Sequence, residues 1–283
     1  DKKILLNIDD KGNYLLQKNN SEYSLNKILS ENEEDNYLTP IYADSKKIIL
    51  IKNHASFENI NSSLLKYEGF ENQWKIESQK IGFHHWGDVF KNKIYVPGRD
   101  FIDLPSKISK SFDNTKYSKC NLKNSWNEFI SIHNLDTGKL INKIYIMPIL
   151  ANAKNKSFNK YLFKCMNPIH FNDIQIIKIQ NHANFFKNGK VGDILLSLRN
   201  IHTILLIDKD DYKIKWQVTG SFDQQHSPRI LNKGTIIVFD NLGSNKKNGE
   251  SRITEISIKK REIVGIYEAQ NDEFFESVQR GRL

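Results

Sequence analysis

An all-β fold, built as a β-propeller of four-stranded antiparallel blades, is the class this 283-residue sequence predicts. Three observations predict it. Helical periodicity is almost absent. Short β-rich runs bounded by turn signals follow one another along the chain. The runs also group in fours, and the groups return every ~40–50 residues, the period of propeller blades.

Lys3–Asn7 and Tyr14–Gln17 read as a strand pair around the turn Asp9–Gly12. Pro40–Ala43, Lys47–Lys52, Ser62–Tyr67 and Gln73–Ser78 then form a four-strand set whose last strand carries Trp74. A second set opens at His84-His85, runs through Lys93–Pro97 and resumes at Glu128–Asn134. It turns over Leu135-Asp136-Thr137-Gly138 into Lys139–Ile146. Its halves are separated by a Lys-, Ser- and Asn-rich insertion, Leu104 to Ser125, which reads as a surface loop.

The third set takes His170-Phe171-Asn172, Asp193–Leu198, Thr203–Asp208 and Lys213–Val218, with Trp216 in its last strand. Asn181–Val191 reads as an inserted loop. The fourth takes His226, Gly234–Asp240, Ser251–Ile258 and Glu262–Tyr267, and Phe274 to Leu283 reads as the start of a fifth. Residues 1–37 are expected to supply strands that complete the last blade, and 38–283 to form a propeller incomplete at its C-terminal end.

Composition limits the functions available. The net charge is +9, and the stretch Arg99 to Lys164 holds 12 basic against 5 acidic residues. These lysines are mixed with Asn and Ser, without arginine clusters or aromatic platforms, so nucleic acid is not an expected partner. The longest apolar run, Ile144 to Ala151, is far short of the ~20 residues a spanning helix needs. Cys120 and Cys165 are the only cysteines and form no CxxC, which argues against a structural zinc site. A disulfide between them would suit an exported protein; two free thiols fit the count equally.

A histidine stands near the opening of three sets, in Phe83-His84-His85-Trp86, Pro168-Ile169-His170-Phe171-Asn172 and Gln224-Gln225-His226-Ser227. The first strand of a blade lies innermost, so these residues are expected to face a shared channel. His54, His133 and His202 read as structural histidines, and His182, in a second H-x-N, is the alternative to His170. Asp208, Asp240 and Asn241 read as turn residues, and Trp74 and Trp216 as packing between blades.

With these motifs in order, the chain resembles the bacterial arylsulfotransferase family. The resemblance rests on His170-Phe171-Asn172, Gly192-Asp193-Ile194-Leu195-Leu196-Ser197-Leu198-Arg199, Ile207-Asp208, Trp216, Gln225-His226, Phe239-Asp240-Asn241 and Ser251-Arg252-Ile253-Thr254-Glu255. It is clearest from Pro168 to Tyr267. Asn167 and Pro168 depart from it, standing where the family has an acidic residue and often an aromatic one.

The resemblance implies a six-bladed propeller, periplasmic or otherwise exported. It implies transfer of a sulfuryl group from an aryl sulfate to a phenol, with no cofactor, no metal and no nucleotide donor. It implies His226 as a nucleophile that becomes transiently sulfated, with His170, Asn172 and Arg199 around it and a further histidine from the His84/His85 pair, His85 being favoured. His84, Asn172 and Arg199 would bind substrate. The chemistry suits the residue types. Neutral imidazole is nucleophilic near neutral pH, and guanidinium matches an oxyanion bidentately. Two other readings compete: a non-catalytic propeller that binds a protein or an anion in its funnel, and a metalloprotein held by His85, His170 and His226.

Overall fold

A computed structural model describes residues 3–9, 12–19, 22–27, 38–43, 47–52, 62–68, 71–78, 81–102, 111–112, 115–116, 119–120, 125–243, 250–269 and 277. The expected fifth set at Phe274–Leu283 lies outside these residues except for Ser277, as do His54 and most of the insertion Leu104–Ser125.

The fold is all-β and of the propeller type, with three four-stranded antiparallel meanders among its sheets. Strands β1 (Lys3–Asp9), β2 (Gly12–Asn19) and β3 (Glu22–Lys27) form a three-stranded sheet of their own. Strands β4 (Leu38–Ala43), β5 (Lys47–Lys52), β6 (Ser62–Glu68) and β7 (Glu71–Ser78) pair in chain order. The next sheet contains β8 (Gly82–Phe83), β9 (Asp88–Phe90), β10 (Lys93–Ile102), β11 (Ser125–Asn134) and β12 (Leu140–Tyr145). Its order is β12-β11-β10-β8, with β9 also paired to β10. Then come β13 (Phe171–Ile176), β14 (Ile194–Leu198), β15 (Thr203–Ile207) and β16 (Ile214–Thr219). The last sheet holds β17 (His226–Ile230), β18 (Thr235–Asp240), β19 (Arg252–Ser257) and β20 (Ile263–Tyr267).

Two segments differ from expectation. The apolar run after β12 is a helix, α1 (Ile146–Ala151), and the expected loop at Asn181–Val191 contains a second, α2 (Gln180–Asn184). Apolar runs this short carry no decisive period, and burial of Ile146, Met147 and Leu150 settles the first as helix.

The chain divides into two compact units, 1–100 with 131–142 and 101–130 with 143–283. In the first, Ile49, Ile51, Leu64, Phe83, Ile94 and Val96 share one core. Trp74 Nε1 donates to the Leu135 carbonyl at 3.2 Å. His133 is structural, as expected: its Nε2 meets Ser131 Oγ at 2.7 Å and its Nδ1 meets the Gly138 carbonyl at 2.9 Å.

In the second unit, β14 and β15 are buried throughout, which is why they read as unbroken apolar runs and not as alternating strands. Leu195, Ile204, Leu206 and Trp216 pack with Ile236, Val238 and Ile256, so the third and fourth blades share a core. Trp216 Nε1 crosses to the Ile258 carbonyl at 2.8 Å. The first strands of these blades are cross-linked as well. Arg229 grips the buried Asp173 at 2.7 and 3.3 Å, and Gln175 Oε1 accepts from the Ile230 amide at 3.1 Å.

Cys120 and Cys165 form a disulfide, with their Cα atoms 5.4 Å apart. It ties the insertion to the connector that leads into β13. Closing a loop of this length limits the unfolded chain, so Cys120→Ser with Cys165→Ser is expected to cost about 2–4 kcal/mol. Urea denaturation of the double variant beside the oxidised parent measures it; equal midpoints would contradict the expectation.

Candidate active site

The second unit gathers the expected residues through short hydrogen bonds, and the local backbone explains how. The pairing of β13 with β14 slips between Phe171 and Asp173, and that of β17 with β18 slips between His226 and Arg229. Bulges of this kind re-aim side chains at the ends of sheets. Left-handed backbone adds to the effect: His170 (φ 49°), His202 (φ 47°), Gln224 (φ 53°) and Ser227 (φ 53°) all adopt it without being glycine. Each such residue costs about 1–3 kcal/mol, and clusters of them mark functional sites.

His226 opens β17 and is buried. Its Nδ1 lies 2.6 Å from Asn241 Oδ1 and 3.1 Å from the Gln224 carbonyl. Asn241 cannot turn its amide round, because its Nδ2 donates to the Ser277 carbonyl. Both neighbours of Nδ1 are therefore acceptors, and Nδ1 carries the ring proton. The lone pair of the neutral ring then sits on Nε2. Burial drives the imidazole pKa down to about 4; the hydrogen bond to Asn241 opposes the shift, and the positive charge of Arg199 adds to it. His226 is a neutral base at pH 7.

Arg199 lies just past the end of β14. It begins a 3-10 turn, Arg199–Ile201, that follows the strand. Its amide bonds to the His170 carbonyl at 3.0 Å, and the Asn200 amide to that of Ile169 at 2.9 Å, clipping the turn to the start of β13. The guanidinium reaches Gln224 Oε1 through Nη2 and Asn200 Oδ1 through Nη1, the latter at 3.1 Å. Burial lowers its pKa, and Asp223 partly offsets this.

Asn172 is fully buried and donates through Nδ2 to the Gln225 carbonyl at 2.7 Å. It therefore holds the residue before His226, where the sequence suggested a donor to substrate. Gln225 is anchored a second time, by its Nε2 to Ser197 Oγ (3.1 Å) and to the Thr203 carbonyl (3.2 Å). The S-x-R, H-x-N and Q-H motifs are thus one hydrogen-bonded network. Buried in it, without a partner among the described residues, are Arg199 Nε, Asn172 Oδ1, Gln225 Oε1 and Asn167 Oδ1. Buried polar atoms are rarely left so, and when they are, a functional role is a common reason.

His170 accepts from Asn167 Nδ2 at its Nδ1 (2.7 Å), which leaves its proton on Nε2. Asn167, the departure from the family pattern, is thus a ring-orienting group. His84 and His85 belong to the other unit. There His84 is buried, His85 is half-buried and left-handed (φ 55°), and their Nδ1 atoms are 2.8 Å apart. His182 joins none of this network: it sits on α2 and its Nε2 meets Asn232 Oδ1 at 2.9 Å.

Three supporting residues were misread or missed in the sequence. Asn241 is a histidine-orienting group and not only a turn former. His202 supports the site loop, accepting from the Gln224 amide at 3.3 Å and pairing with Asp223 at 3.2 Å. Gln224 was noted only as a neighbour of His226. Their partners lie 15 to 25 residues away, so no local pattern marks them. Among the described residues no group of three or more His, Cys, Asp or Glu side chains is placed to hold a metal ion. No helix among them is long and apolar enough to cross a membrane.

Comparison with known proteins bears on the family and the fold. The family described as arylsulfotransferase (ASST) matches residues 124–283, more than half of the chain. A search of curated protein sequences found no match. Among solved structures, a protein of unknown function from Bacteroides caccae is similar at a TM-score of 0.50 and 11% identity, over 92% of this chain and 69% of its own. A functionally unknown protein from Desulfotomaculum acetoxidans DSM 771 is similar at 0.50 and 10% identity, over 92% and 64%. The WD40 β-propeller domain of Doa1 gives 0.42 at 9% identity, over 95% and 80%. At such identities the likeness is of fold alone.

Proposed function

The chain belongs to the arylsulfotransferase family, and from that premise we propose that it moves a sulfuryl group from an aryl sulfate to a phenol through a sulfated His226. The observation that carries this reading is the state of His226. Nδ1 is held as a donor by Asn241 and Gln224, burial keeps the ring neutral, and Arg199 lies close enough to lower its pKa.

In the first half-reaction the Nε2 lone pair attacks sulfur, an N–S bond forms, and the S–O bond to the aryl group breaks. The phenoxide leaves with that electron pair, accepts a hydrogen bond from the Nε2–H of His170, and is protonated by solvent. In the second, the acceptor phenol gives its proton to solvent as its oxygen attacks sulfur, and the N–S bond breaks with its electron pair returning to Nε2 of His226. Arg199 counters charge on the sulfuryl oxygens, and Asn172 positions the residue before the nucleophile. Six blades belong to the same proposal. Export fits the Cys120–Cys165 disulfide, since such bonds persist in oxidising compartments.

The test is incubation with 4-nitrophenyl sulfate and a phenol acceptor, followed by mass spectrometry under conditions that preserve phosphoramidate-like bonds. A sulfated peptide containing His226, and ping-pong kinetics, are expected. Absence of both nitrophenol release and sulfopeptide would make a binding propeller the better account.

A further inference from the structure

The opening of β13 is braced by β11, a strand the chemistry above leaves out. Trp126 and Glu128 stand two residues apart near the start of β11 and bracket the segment 166–171. The Trp126 amide donates to the Met166 carbonyl at 3.0 Å, and Glu128 Oε2 accepts from the Phe171 amide at 3.0 Å. Between these two ties lie His170 and Asn167, the residue that orients its ring.

Glu128 is 1% exposed. A carboxylate taken out of water is costly unless hydrogen bonds to its charged form replace the lost solvation. The Phe171 amide is one such donor, and it belongs to the peptide group that joins His170 to Phe171. The other end of the same peptide, the His170 carbonyl, accepts from the Arg199 amide at 3.0 Å. One peptide group therefore connects the buried carboxylate to the turn that carries Arg199. Hydrogen bonds in line polarise one another, and a charged acceptor makes the first of them strong.

His170 needs such a clamp. Its φ of 49° is a conformation that a residue with a side chain keeps only where its surroundings over-determine it. Releasing the N–H end frees the peptide to rotate, which shifts the His170 ring on one side and loosens the Arg199 turn on the other.

Building on the proposed transferase reading, we propose that Glu128 is a positioning residue of the active site. Through the His170–Phe171 peptide it fixes both the ring that donates to the departing phenoxide and the turn that carries Arg199. It meets no reacting atom in this role, and it lies 43 residues before the amide it holds.

The experiment compares Glu128→Gln, Glu128→Asp and Glu128→Leu with the parent on two donors, 4-nitrophenyl sulfate and phenyl sulfate. One phenolic acceptor is used, its sulfated product is quantified by chromatography, and circular dichroism and urea midpoints report folding. Phenol is less acidic than 4-nitrophenol, so its oxygen carries more charge as it leaves and depends more on the His170 Nε2–H. Gln keeps an acceptor oxygen at the same reach, so kcat is expected within about 3-fold of the parent on both donors. Asp keeps the charge but withdraws the oxygens by one methylene, and Leu keeps the bulk without an acceptor. Both are expected to lower kcat by roughly 3- to 10-fold on 4-nitrophenyl sulfate and by roughly 10- to 100-fold on phenyl sulfate.

A merely structural glutamate gives losses that are equal on the two donors and follow the unfolded fraction. That result, or parental kcat in folded Asp and Leu variants, would overturn the positioning role and leave the transferase reading intact. Should the Leu variant not fold, Gln and Asp decide between them: a Gln variant no faster than Asp would overturn the role as well. A parent protein that turns over neither donor would end both readings.

Discussion

His226→Ala is expected to lower sulfuryl transfer on the order of 10⁴-fold and to abolish the sulfated peptide, leaving only the contribution of binding and charge. The size follows from the role: without Nε2 the two-step route is lost, and no neighbour in the network has the same free geometry. Stopped-flow release of nitrophenol from alanine and parent proteins measures it, with circular dichroism to confirm folding. Retention of more than a tenth of the parent rate would remove His226 as nucleophile.

The same residue sets a pH dependence. In an unfolded chain its pKa is near 6.5, and in the folded protein it falls to about 4. Above pH 6.5 both states hold it neutral, so its full contribution to stability is present. As pH falls from 6.5 toward 4 the unfolded chain takes up the proton first, and up to about 3 kcal/mol of stability is lost. The rate should behave differently. Because the folded ring stays neutral, the first half-reaction should persist to about pH 5, where an unperturbed imidazole would be almost wholly protonated. Single-turnover rates, with product quantified by chromatography, check this; a midpoint near 6.5 would contradict it.

Asp240→Ala carries the largest expected effect on stability, about 3–5 kcal/mol. Fully buried, Asp240 accepts from the Asp223 amide at 2.7 Å, Arg252 Nε at 2.8 Å and Thr254 Oγ1 at 3.1 Å. Burial raises its pKa even against these partners. Removing the carboxylate leaves Arg252, itself buried, without its closest counter-charge, and frees the Asp223 segment that pairs with His202. Urea unfolding should show a lowered midpoint with an unchanged slope. A loss below about 1 kcal/mol would mean that water readily replaces the carboxylate.

Much of the architecture was legible in the residues. β4 to β7 and β13 to β20 fall close to where the β-rich runs and turn signals place them, and Trp216 does bridge blades. The helices α1 and α2 were not legible, because five or six residues carry too little period to separate helix from strand or loop. Within the site, His170, Arg199 and His226 stood out, since a histidine or arginine at the opening or close of a blade strand is an unusual expense of an inner position. Asn241 reads as a turn former and His202 as a structural histidine. Each role was set by a partner 15 or 22 residues away in the chain.

The β-rich runs, the spacing of the blades and the identity of the titratable groups are properties of neighbours in the chain, and they were present in the sequence from the start. Which nitrogen of His226 carries its proton, why that ring stays neutral, how Asn172 comes to hold Gln225, and that Cys120 joins Cys165 are properties of groups 15 to 53 residues apart. Hydrogen bonds act over about 3 Å and desolvation over one layer of atoms. Until the strands are packed, those partners do not exist for one another.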